Sequence, residues 1–79
     1  MDNKLSIIFS DHASKQLNER KINVKLIRLT VSYPAKLVLY ENKYIAYRKF
    51  GKLYLKVVFG KVAENMIIII TQHFVKKIP

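Results

Sequence analysis

The sequence predicts an α+β fold in the order β-α-α-β-β-β-β, a twisted, mostly antiparallel sheet with two helices packed on one face. Three observations carry that expectation. Apolar residues recur at helical spacing between Asp11 and Val31, and then at a spacing of two from Lys36 onward. Short polar or glycine-containing breaks cut the second half into strand-sized pieces. The chain has 79 residues, of which 51% are hydrophobic, with two Gly and two Pro. That composition excludes intrinsic disorder and leaves room for one modest core, so residues 1–79 are expected to form a single domain.

Leu5–Phe9 reads as a short strand. Ser10 and Asp11 follow, and either side chain can accept the free amide protons of a new helix. The first helix is expected over Asp11–Arg20, with Ala13 and Leu17 toward the core and His12, Gln16 and Glu19 on the adjacent polar stripe. Lys21-Ile22 interrupts the pattern and Asn23 offers a second cap. The second helix is expected over Val24–Val31, facing inward through Val24, Ile27 and Val31. Pro34 stops it, because the residue before a proline resists helical geometry. Strands follow at Lys36–Glu41, Tyr44–Phe50 and Leu53–Phe59, joined by the two-residue turns Asn42-Lys43 and Gly51-Lys52. Gly60 to Asn65 reads as a third connection, and Met66–Phe74 as a last strand. Its isoleucine run is apolar on both faces, which suits a central position.

These turns imply a register. Tyr40 would pair with Ile45, Val38 with Tyr47 and Lys36 with Lys49; then Lys49 with Tyr54, Tyr47 with Lys56 and Ile45 with Val58. Alternation places Leu37, Leu39, Ala46, Leu53, Leu55, Val57 and Phe59 on the face that receives the helices. Lys36, Lys49, Lys56, Tyr40, Tyr47 and Tyr54 fall on the other. Arg48 falls on the core side of this register, at the sheet margin if the register is right. A sheet face mixing Lys with Tyr suits RNA, since ammonium groups neutralise phosphates and rings stack on unpaired bases. The plain alternative is a solvated face covered by amphipathic side chains.

The charge balance favours the first option. Fifteen Lys and Arg stand against five Asp and Glu, a formal net charge of +10, which points to a polyanionic partner. The absence of Cys excludes disulfides and thiolate chemistry. Five acidic residues make a multi-carboxylate metal site improbable, and no spacing suggests a metal pair or a Gly-rich phosphate loop, so no cofactor and no metal are expected. The longest apolar run, Met66–Ile70, is far short of a membrane span, and Leu5–Phe9 is too short for a secretory segment. The expected location is the cytoplasm, with no membrane partner.

Several short motifs occur in a suggestive order: Phe9-Ser10-x-His12-Ala13, Glu19-Arg20-x-Ile22, Pro34 opening the sheet, Tyr47, the Leu55-Lys56-Val57-Val58 strand and a last strand reaching Thr71. Together they resemble a small prokaryotic domain family similar to the RelE/ParE-like toxin superfamily, related in turn to the barnase- and colicin-type ribonuclease fold. The resemblance covers nearly the whole chain. It implies a RelE-like arrangement with the final strand beside the first. It also implies an endoribonuclease acting on free or ribosome-bound messenger RNA and held in check by an acidic antitoxin. His12, Arg20, Lys56 and Thr71 match the shared kernel; superfamily catalytic residues vary between branches and do not transfer position by position.

Metal-free RNA cleavage requires a base for the 2′-hydroxyl proton, a cation on the phosphate and an acid for the leaving oxygen. His12 and His73 are the side chains that ordinarily titrate near neutrality. Glu19, Lys56, Tyr47 and Tyr54 qualify if their pKa values are shifted, and Arg20, Arg48 and Lys56 can hold phosphate. His12, in the first turn of a helix, would be kept neutral by the macrodipole, or would simply pack at the helix start. Arg20 can serve phosphate or cap carbonyls. His73 shares strand parity with Thr71, near a terminus expected to fray. The function expected is therefore a toxin-like, metal-independent endoribonuclease or RNA-binding protein. The alternatives are a non-catalytic nucleic-acid-binding module or a degenerate toxin that acts by contact with an acidic protein.

Overall fold

A computed structural model describes residues 5–79. Seven elements follow one another: β1 (Ser6–Phe9), α1 (Asp11–Arg20), α2 (Val24–Ser32), β2 (Lys36–Tyr40), β3 (Lys43–Phe50), β4 (Leu53–Ala63) and β5 (Met66–Val75). The strands form one mixed sheet in the order β1-β5-β4-β3-β2. The hairpin pairings are antiparallel, whereas β1 lies parallel to β5.

The helix boundaries follow from local chemistry. Ser10 caps α1, its Oγ accepting from the Ala13 amide at 3.0 Å. The helix ends at Lys21, which turns left-handed with φ 52 and sends its amide proton back to the Leu17 carbonyl. Asn23 caps α2 through the Lys25 amide at 2.8 Å. The core joins Ala13 of α1 and Ile27 of α2 to Ala46, Leu55, Val57, Phe59, Ile67 and Ile69 of the sheet, with Ile22 between the helices. Val24 does not contribute as expected: it is exposed, and Thr30 is buried in its stead. A polar side chain is tolerated there because Thr30 Oγ1 donates to the Leu26 carbonyl at 2.8 Å.

The register of the β3–β4 hairpin is the one expected, from Ile45↔Val58 to Lys49↔Tyr54. The β2–β3 hairpin differs by two residues. Lys36 pairs with Tyr47, Val38 with Ile45 and Tyr40 with Lys43. The turn is Glu41-Asn42, both left-handed with φ 48 and 66, the conformation of a tight hairpin of type I′. A slip of two preserves side-chain parity, so the division into two faces survives it.

Two other expectations change. Gly60 to Asn65 is no loop: β4 runs on to Ala63 and the turn is Glu64-Asn65. The extra length is absorbed by two irregularities, which leave Val62 and Ile70 unmatched across the ladder. Leu37, Leu39 and Leu53 are exposed although they lie on the helix-facing side. The helices cover the other strands, α1 on β1 and β5 and α2 on β3 and β4. β2 is the outermost strand, and Leu53 stands at the end of its own.

Candidate nucleic-acid interface

The outer face of the sheet is organised in cross-strand rows. Lys36, Tyr47, Lys56 and His73 are successive partners across β2, β3, β4 and β5. With strands about 4.8 Å apart, the row spans about 14 Å. A second row holds Lys49, Tyr54 and Val75. Lys56 is forced outward because Leu55 and Val57 on either side are fully buried in the core. Tyr40 lies at the far end of β2 and is exposed.

Tyr47 is not free to stack on a base from open solvent. It is 5% exposed, because residues 76–79 fold back across the outer face. Lys36 Nζ donates to the Pro79 main-chain oxygen at 2.7 Å. Tyr47, Lys56, Val75, Lys77, Ile78 and Pro79 line an open groove of about 360 Å³ beside it. The end of the chain, expected to fray, is thus a wall of the site.

His73 is the titratable group with the clearest electrostatic signature. Burial lowers its pKa first, and the charges of Lys56 and Arg20 lower it further. Arg20 approaches from the end of α1, and its Nη1 donates to the Gln72 carbonyl at 3.5 Å. The structure therefore gathers Arg20, Lys56 and His73.

His12 and Thr71 do not join them. His12 is exposed in the first turn of α1, about 12 Å along the helix axis from Arg20. Thr71 and His73 keep the shared strand parity expected, opposite Val58 and Lys56, but Thr71 is engaged by α1. Thr71 Oγ1 donates to Gln16 Oε1 at 2.6 Å, which commits it to helix packing. Gln16 also accepts from the Gln72 amide at 3.2 Å, and Gln72 Nε2 donates to the Ala13 carbonyl at 3.0 Å. This buried amide network was missed on the sequence, where Gln16 counted as polar stripe. Its spacing of three from Ala13 was the available signal. Arg48 lies on the helix-facing side, where Nη1 donates to the Tyr33 carbonyl at 2.7 Å and the guanidinium sits 5.8 Å from the Phe50 ring centroid. It closes the end of α2 and stands apart from the Lys/Tyr face.

Among the described residues, no group of three or more His, Cys, Asp or Glu could hold a metal ion, and no helix is long and apolar enough to cross a membrane. Comparison with protein-family models, curated proteins and solved structures gave no match.

Proposed function

We propose that this chain is a toxin-like endoribonuclease that binds RNA on its outer sheet face and cuts it without a metal. The single observation behind the reading is the placement of His73 beside Lys56 and within the field of Arg20. An imidazole whose pKa is lowered by burial, and further by two neighbouring cations, has the properties of a general base next to a phosphate site. In this mechanism His73 takes the proton of a ribose 2′-hydroxyl. The 2′-oxygen then attacks the adjacent phosphorus, and the bond to the 5′-oxygen breaks. Arg20 stabilises the charge on the phosphoryl oxygens, and Lys56 gives a proton to the departing 5′-oxygen. The products are a 2′,3′-cyclic phosphate and a 5′-hydroxyl. Proton exchange with water then restores both side chains. The row from Lys36 to His73 provides the track for the backbone, and the net charge of +10 provides the attraction. The resemblance to the RelE/ParE-like superfamily agrees with this reading and adds a RelE-like arrangement, ribosome-bound messenger RNA as substrate and an acidic antitoxin as partner.

The test is RNA incubated with the protein in excess chelator. His73→Ala should slow cutting by roughly 10²–10⁴ fold with an unchanged circular dichroism spectrum. RNA left intact by the unmodified protein, with and without ribosomes, would overturn cleavage. A second reading, RNA binding without catalysis, is favoured by the presence of one imidazole in the cluster, since His12 lies elsewhere. It predicts salt-dependent binding that His73→Ala leaves intact.

A further inference from the structure

The groove under residues 76–79 has a composition that the row of lysines alone does not explain. Its lining is apolar or aromatic at Tyr47, Val75, Ile78 and Pro79, and cationic at Lys56 and Lys77. The acidic side chains of the described residues are elsewhere: Asp11 and Glu19 on α1, Glu41 in the β2–β3 turn and Glu64 in the β4–β5 turn. Two lysines, Lys56 half-buried and Lys77 exposed, therefore flank one small apolar-walled space with no acidic side chain in its lining. An anion seated between the two ammonium groups gains charge-assisted hydrogen bonds from both. At about 360 Å³ the space lies at the small end of ligand pockets, which run from roughly 300 to 1,000 Å³. It is too small for a run of nucleotides and large enough for one. Lys36, bonded to the Pro79 oxygen, fixes the wall that makes the space a pocket instead of a bare sheet surface.

We infer that this groove is a subsite for a single nucleotide of the RNA, with the base and sugar against Ile78 and Pro79 and the phosphate between Lys56 and Lys77. The inference rests on the outer face being an RNA face, and adds where the strand is gripped. Because Lys56 is shared with His73, the gripped nucleotide lies next to the phosphodiester presented to the imidazole. The C-terminal segment is then a working part of the site.

The test compares three probes on the full chain by calorimetry: inorganic phosphate, ribose 5-phosphate and a nucleoside 5′-monophosphate. Binding of a single-stranded RNA oligomer is measured alongside. The variants are Lys77→Ala and Ile78→Ala, both outside the sheet and the core. The monophosphate should bind about tenfold or more tightly than either smaller probe. Ile78→Ala should remove most of that advantage, and both variants should weaken oligomer binding several-fold. Equal affinity for the three probes, or no effect of Ile78→Ala, overturns the pocket while oligomer binding by the outer face stands. Weakened monophosphate binding with unchanged oligomer binding overturns RNA as the occupant in favour of a free nucleotide. Absence of both oligomer and monophosphate binding overturns the pocket together with the RNA reading on which it rests.

Discussion

The two halves of β5 solve the same problem in different ways. From Met66 to Ile69 the strand is sandwiched between β4 and β1, and its backbone is completed on both sides by other strands. Ile67 and Ile69 fill the core. Past the unmatched Ile70, β1 has ended and β5 has an edge without a strand beside it. Helix α1 supplies what is missing. Ser10 Oγ donates to the Ile70 carbonyl, Gln16 Oε1 accepts from the Gln72 amide and Arg20 donates to the Gln72 carbonyl. Gln16 and Arg20 are one helical turn apart, so they meet the edge from the same side. The difference explains the position of the candidate site. Where pairing is by strand, the side chains are free to be uniformly apolar. Where pairing is by polar side chains, cations and amides are drawn to the sheet, and Arg20 is thereby held near His73.

The largest effect should come from the apolar half. Ile69 is fully buried, and Ile69→Ala should cost about 2–5 kcal/mol in a denaturant titration. A loss below 1 kcal/mol would mean that the strand-paired half is not the anchor of the sheet. The polar half should be less costly to break. Gln16→Ala strands both the Thr71 hydroxyl and the Gln72 amide, and should cost about 1–3 kcal/mol by the same measurement. Equal losses for the two variants would remove the distinction. Ser10→Ala should lie at about 1 kcal/mol, within the range for a helix cap, since it loses the Ala13 amide contact and frees the Ile70 carbonyl.

The same contrast governs what could be read from the sequence. The strand-paired half announces itself as an isoleucine run, and the β3–β4 register follows from Gly51, whose φ of 67 suits the turn it occupies. The first hairpin was misplaced by two residues because Glu41 takes a left-handed conformation that turn preferences assign to Asn or Gly. Gly60 suggested a loop, yet it lies within a long strand. Its composition carried no trace of the Val62 irregularity that lets the ladder continue. Gln16 was placed on a polar stripe because burial of an amide depends on partners distant in sequence, here Thr71 and Gln72. Residues 76–79 looked like a free end because nothing local shows that Ile78 will find Tyr47. The face bearing Lys36, Lys56 and Tyr47 was legible from alternation alone; the covering of Tyr47, the distance of His12 from Arg20 and the engagement of Thr71 by Gln16 were not.

The smallest effect concerns His73, and it tests whether the cations of the polar half act on the imidazole. Its pKa in the folded protein is lowered from 6.5 by burial, Lys56 and Arg20. As pH falls through about 6.5, the unfolded chain takes up the proton first. Stability rises with pH wherever the unfolded state binds more protons. The His73 contribution is therefore fully present above pH about 6.5 and is lost as pH falls through the lowered value. Thermal unfolding between pH 7.5 and pH 5 should show a drop for the parent chain that is smaller for His73→Gln; His12 is common to both and cancels. Lys56→Ala should reduce the drop less than His73→Gln does, because burial is the larger cause and persists. If cleavage is observed, its rate should decline over the same acidic window in the parent. Identical pH dependence in all three proteins would show that His73 carries no folded-state shift, and would take away the electrostatic basis for treating it as the base.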